Sequence, residues 1–243
     1  MDWSKAKNII IVMLILTNLF IIFMYGGEYI QKHEEDDSVY EYTMNVLSQH
    51  NVSVECEIPE EEERMHSLVV TYDSYDQTIV QSIIDSIRPL PDTERYEEGY
   101  GIAADNFVAR CGYKTEGTRR VAVNETPENV EVIYKNYYED IPLEVCYMKV
   151  IFTEGKISGF DRKWMEVEEE GSARMEIMSP LSALLYYMSE TEPAAGTVIE
   201  DMYMTYWIDS YDISGNVLYD TALPAWCIEY DGGQTQYISA TVQ

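Results

Sequence analysis

Apolar and polar positions follow three rhythms along this chain. From Ile9 to Tyr25 every residue is apolar except Thr17 and Asn18. Such a run spans a hydrocarbon core of ~30 Å as a helix. Residues 26–37 read as a stalk, polar from Gln31 to Asp37. From Ser38 the three-four spacing of Val39, Tyr42, Val46 and Leu47 predicts an amphipathic helix, capped by Ser38 and stopped near Asn51. Ile79, Val80, Ile83, Ile84 and Ile87 repeat that spacing behind Ser74 or Asp76, and Arg88-Pro89-Leu90-Pro91 ends it. Ser179-Pro180 opens another helix through Met188, and Thr126-Pro127 opens one to about Tyr138.

The remaining segments read as strands. They are Val52 to Ile58, Ser67 to Tyr72, Tyr96 to Gly101, Asn106 to Tyr113, Thr118 to Val123, Leu143 to Thr153, Ile157 to Trp164, Thr197 to Ile208, Ala225 to Tyr230 and Gln236 to Val242. Glu154-Gly155-Lys156 and Asp231-Gly232-Gly233 supply turns. The predicted fold class is α+β: one N-terminal transmembrane helix, then antiparallel sheets with packed helices in two tandem units. The predicted boundaries are a tail at 1–8, an anchor at 9–25, a stalk at 26–37, and α+β units at 38–140 and 141–243.

Charge orients the anchor. Lys5 and Lys7 precede it, and Glu28, Glu34, Glu35, Asp36 and Asp37 follow it. Excess Lys and Arg stay on the cytoplasmic side, which predicts a cytoplasmic N-terminus and an extracytoplasmic C-terminal domain. A cleaved signal peptide fits less well, since Tyr25-Gly26-Gly27-Glu28-Tyr29 offers no small-x-small cleavage site. Within the anchor, Ile11, Leu14, Asn18, Ile21 and Tyr25 share one helical face. A polar amide at mid-membrane is costly unless paired, so this face is the candidate transmembrane partner contact, the alternative being an Asn18 amide that bonds its own backbone.

The whole chain carries 44 Asp and Glu against 16 Lys and Arg, a net charge of −28. That balance repels phosphate backbones and excludes nucleic acid as a partner. It describes either a solvated acidic exterior or a face for cations or a basic partner. Tyrosine outnumbers phenylalanine by 21 to 5, which suits half-buried strands and binding faces. The four cysteines Cys56, Cys111, Cys146 and Cys227 are widely spaced, with no C-x-x-C pair, so no metal site is expected. They permit up to two disulfides, or stand as buried thiols.

Signals for catalysis are sparse. His33, His50 and His66 form no ligand spacing, and no G-x-S-x-G elbow occurs. Asp209, Asp212 and Gly215 miss the calcium-loop pattern and read better as a turn. Acid pairs such as Glu97-Glu98 and the run Glu166 to Glu170 are frequent enough to arise by composition alone. A wall hydrolase needs two carboxylates facing across a cleft, which spacing cannot supply. The chain is therefore expected not to be an enzyme and to need no cofactor.

Two terminal segments carry a family likeness. Met1-Asp2-Trp3-Ser4-Lys5-Ala6-Lys7 runs straight into the anchor that holds Asn18. Leu223-Pro224-Ala225-Trp226-Cys227-Ile228 is followed by Tyr237-Ile238-Ser239-Ala240, and Ile151 to Ile157 forms a further hairpin signal. In these segments the chain resembles the YycI family. The resemblance implies a membrane-anchored, extracytoplasmic regulator of Gram-positive bacteria. Such a protein works with a YycH-like relative on the sensor histidine kinase of the WalK/WalR system, which governs cell-wall metabolism. It implies no catalytic residues. The alternative classes are a cell-wall-associated binding module and a carboxylate-dependent wall hydrolase.

Overall fold

A computed structural model describes residues 13, 14, 17, 18, 38–60, 64–208 and 219–241. The chain is α+β with a mixed sheet. Among the described residues no helix is long and apolar enough to cross a membrane. Most of the expected anchor 9–25, the stalk 26–37 and the Asp209–Gly215 turn lie outside the described residues.

The chain divides into two compact units. One comprises residues 1–53 and 184–197, the other 54–183 and 198–243. The strands on either side of residue 140 are hydrogen-bonded neighbours.

The first unit holds the helix at residues 38–49 (α1). Thr43 and Leu47 are its buried positions, and Asn51, at φ 56°, ends it in the left-handed region that Asn tolerates. Gly196 N donates to Asn51 O at 2.8 Å, which ties the ends of this unit together. Val46, His50, Leu185 and Met188 line a groove of about 560 Å³ within it.

The second unit carries the sheet. In chain order its principal strands are β2 (Arg64–Asp73), β3 (Thr118–Glu125), β4 (Val130–Tyr138), β5 (Ile141–Thr153), β6 (Lys156–Glu176), β7 (Val198–Trp207), β8 (Tyr219–Tyr230) and β9 (Gln234–Ser239). The short β1 (Ser53–Val54) precedes them. β3, β4, β5 and β6 form an antiparallel ladder. β6 pairs with β5 up to Lys163 and with β2 from Trp164 onward. β2 then pairs with Tyr219–Ala222 of β8, and the rest of β8 lies between β7 and β9. The parallel bridge Leu143 to Tyr206 closes the circuit β5–β6–β2–β8–β7. Parallel pairing makes the sheet mixed where antiparallel sheets were expected. Both two-residue turns of the ladder, Glu139-Asp140 and Glu154-Gly155, have positive φ, as a right-twisted hairpin requires.

Three elements follow the expected pattern closely. Asp76 caps α2 (Gln77–Ser86) through the amides of Thr78 and Ile79, and Val80 and Ile84 are its buried positions. Ser179 Oγ accepts from Ser182 N at the start of α4 (Pro180–Thr191). The strand expected at Ser67 to Tyr72 is the middle of β2.

Three expectations are corrected. Tyr96 to Gly101 and Asn106 to Tyr113 are not strands; residues Glu97–Arg110 form one helix, α3. Its buried positions Tyr100, Ala104, Phe107 and Val108 follow the helical spacing, and Tyr100 and Phe107 meet Phe152 and Phe160 edge-on. The region from Thr126 to Tyr138 is not a helix but a turn followed by β4. Thr126 N donates to Asn129 O, and Thr126 Oγ1 accepts from Asn129 N, so the cap chemistry closes a turn. Val130, Val132, Tyr134 and Asn136 are the buried, alternating positions of the strand that follows. Finally, Val52 to Ile58 yields only the two-residue β1.

The core of the second unit includes Leu68, Val70, Leu143, Val150, Phe152, Met165 and Trp226, all essentially inaccessible. One charge lies among these residues. The Arg162 side chain is 2% exposed, pairs with Asp73, and places its guanidinium 4.3 Å from the Tyr113 ring.

Candidate functional site

Two charged centres in the second unit stand out, one satisfied and one not. The first is Glu144 on β5, whose side chain is only 7% exposed. A carboxylate taken out of water needs donors for its lone pairs. Lys135 on β4 supplies two contacts, at 2.9 and 3.0 Å. Tyr203 on β7 donates to Oε1 at 3.1 Å, and Tyr237 on β9 donates to Oε2 at 3.3 Å. The Tyr203 hydroxyl also reaches Glu229 Oε1, at 2.9 Å. Having one proton, that hydroxyl is shared between two carboxylates.

This cluster spans β4, β5, β7, β8 and β9, with Cys227 completing it from the buried side of β8. Burial, reinforced by Cys227 and Glu144, holds the Tyr203 phenol far above its ordinary range. Burial and the Glu144 charge do the same to Tyr237. Burial also pushes the Cys227 thiol up to about 12. Each of these shifts favours the protonated form at neutral pH. A nucleophilic thiol requires the opposite shift. The cluster's chemistry is that of a locked polar network, which fixes the β8–β9 hairpin against β5 and β7.

The second centre is Arg120 on edge strand β3. Its guanidinium lies against α3 at Gly101, where a Cβ would stand 1.1 Å from Nη1. A glycine inside a helix costs about 1 kcal/mol relative to alanine, so this notch is bought at some expense. Within it Arg120 makes no hydrogen bond among the described residues. Its ion-pair partner among the described residues, Asp105 Oδ2, is 3.8 Å away. Asp105 is itself engaged by the Tyr134 hydroxyl, at 2.7 Å. Arg120 lines a polar pocket of about 240 Å³ with Asp105, Val108, Lys114, Thr118 and Tyr134. On its other side lies a groove of about 550 Å³ lined by Tyr96, Glu97, Glu98 and the β3 backbone.

The residues singled out from sequence are scattered by comparison. Leu14 and Asn18 are helical and exposed, and Ile11, Ile21 and Tyr25 lie outside the described residues. The four cysteines are free thiols on separate elements: Cys56 after β1, Cys111 at the end of α3, Cys146 on β5 and Cys227 on β8. Burial pushes Cys111 up to about 11 and Cys146 up to about 12. His50 borders the groove of the first unit, and His66 Nδ1 lies 2.7 Å from Gly171 O. In the run Glu166 to Glu170, Glu168 accepts from Thr71 and Glu170 from Tyr138. Among the described residues no group of three or more His, Cys, Asp or Glu is placed to hold a metal ion.

Neither Glu144 nor Arg120 carried a sequence signal. Their partners come from strands and helices far apart in the chain, and only the alternation of half-buried polar residues on β4, β5 and β7 hints at the first. No protein-family model matches the chain, and no curated protein matches it.

Proposed function

We propose that this chain is a non-enzymatic, membrane-anchored regulator. In this reading its α+β domain lies outside the cytoplasm, and residues 9–25 share the bilayer with a WalK-type sensor histidine kinase. A YycH-like protein is the second partner. The observation that carries the reading is the pairing of the family-like C-terminal segments. Ala225, Trp226 and Cys227 pair with Ser239, Ile238 and Tyr237, so the two C-terminal segments of the YycI resemblance form one hairpin, β8–β9. Trp226 Nε1 donates to Met178 O, and the Glu144 network holds the same hairpin through Tyr237. A hairpin held this firmly suits a surface that presents contacts. The chemistry of the cluster supports binding over catalysis, because its thiol and phenols are tuned away from proton exchange near neutral pH.

The test is capture of the full-length chain from native membranes. Recovery of a sensor histidine kinase together with a YycH-like protein is the expected result, and recovery of neither overturns the reading. The anchor face is tested separately. Asn18→Leu should weaken kinase association several-fold, as loss of ~0.5–2 kcal/mol of interhelical hydrogen bonding implies. The control Ile10→Leu, on another face, should leave it unchanged.

A further inference from the structure

The Arg120 pocket has a use that the regulatory reading does not absorb. The Arg120 guanidinium lines a concave site, and none of its five N–H donors is hydrogen-bonded among the described residues. Lys114, on the same pocket wall, has no ion pair or hydrogen bond there either. Asp105 does not saturate Arg120, since 3.8 Å exceeds hydrogen-bonding distance. It steers the guanidinium while its other oxygen serves Tyr134. Two cations converging on one pocket are informative in a chain with 16 basic residues against 44 acidic ones. The groove on the far side of Arg120 carries Glu97 and Glu98, which repel anions from that side. At about 240 Å³ the pocket is smaller than ordinary ligand sites, which fits one functional group better than a whole cofactor.

We propose that Arg120 and Lys114 form a binding site for a single oxyanion, with Gly101 as the notch that holds the guanidinium in place. A planar guanidinium grips a carboxylate or a phosphate by two parallel N–H bonds. Lys114 adds a second charge from the loop before β3, and the ligand replaces the donors' missing partners. The oxyanion is either a free ion or the carboxylate of an acidic peptide. This site is independent of the kinase reading, because its ligand is bound by the isolated chain.

The experiment is calorimetric titration of the purified full-length protein at constant ionic strength. The probes are inorganic phosphate, acetate and a short glutamate-containing peptide amide. Saturable binding of at least one probe is expected. Arg120→Gln should weaken it by about tenfold or more, the loss expected for a charge-assisted hydrogen-bonded pair. Gly101→Ala should do likewise by displacing the guanidinium. Asp105→Asn keeps an acceptor for Tyr134 and removes a competing charge, so it should tighten binding several-fold. Arg119→Gln is the control, since Arg119 pairs with Asp140 and stacks on Tyr137. Peptide binding tighter than acetate assigns a protein-borne carboxylate, and preference for phosphate assigns a phosphate group. Absence of saturable binding by all three probes overturns the proposal. So does binding that neither Arg120→Gln nor Asp105→Asn alters, with the fold of each variant checked by circular dichroism.

Discussion

Glu144 and Arg120 are opposite solutions to placing a charge on one sheet. Glu144 sits 7% exposed and accepts four contacts from three side chains. Arg120 sits at the sheet's edge with a helix notched to fit it, and nothing hydrogen-bonded to it among the described residues. A buried charge with every partner in place contributes to one defined arrangement of strands. A fixed charge with no hydrogen-bond partner among the described residues contributes little to the fold, and its donors remain available to a ligand. The difference separates scaffold from site without reference to conservation.

The largest expected effect lies on the scaffold side. Glu144→Ala strands Lys135, Tyr203 and Tyr237 together. Removing one partner of a buried pair should cost about 3 kcal/mol, read as a fall in the urea midpoint. An unchanged midpoint would show that the cluster is not a stabilising network, and the comparison would collapse.

Next come the two glycines of α3. A Cβ at Gly99 would stand 2.0 Å from the Glu94 carbonyl oxygen, which is backbone and cannot step aside. Gly99→Ala should therefore destabilise by about 2 kcal/mol, as overpacking does. Gly101→Ala meets only the end of a flexible side chain. Its helix-propensity gain of up to ~1 kcal/mol offsets the displacement of Arg120, so its midpoint should stay close to wild type. Equal effects of the two substitutions would deny the notch its special role.

A smaller effect concerns alkaline pH. Cys146 and Cys227 have folded-state values near 12 against an ordinary 9.0. For a group whose folded value is raised, the stabilising contribution is complete below the unfolded value and is lost as pH rises through the folded one. Stability should thus hold up to about pH 9 and decline from there towards pH 12, with Tyr203 and Tyr237 adding to the decline. Cys227→Ser should lessen the alkaline loss. A wild-type urea midpoint that stays level across this range would contradict the assignment. The smallest effect belongs to Arg120→Gln, which should shift the midpoint by no more than about 0.5 kcal/mol. A large loss there would make Arg120 another scaffold residue.

The sequence made parts of this legible for identifiable reasons. The stripe of Val80 and Ile84 behind Asp76, and the turn Glu154-Gly155, are local signals, and both elements form as read. In α3, Gly99 and Gly101 beside Tyr96 and Tyr100 imitated a glycine-punctuated strand. Those glycines serve close approach to Glu94 and Arg120, contacts that composition does not reveal. In β4, Thr126-Pro127 imitated a helix start and outweighed the alternation of Val130, Val132 and Tyr134. The two charged centres stayed hidden because their members meet only through strand pairing. Lys135 and Glu144 are near in sequence, but Tyr203 and Tyr237 join them from β7 and β9.

The pairing of β2 also sets a schedule for synthesis. Its neighbours are β6 and β8, so Leu68 and Val70 of this strand find no sheet partner until later segments exist. β8 begins roughly 150 residues after β2 ends, and at about 5–20 residues per second it emerges ~7–30 s later. The ladder from β3 to the first half of β6 needs no such wait, since its hairpins join neighbours in the chain. A nascent chain can therefore pair β2 with the second half of β6 once the ladder is made, but the other edge of β2 stays open until β8 emerges, and that interval is when a chaperone has most to hold.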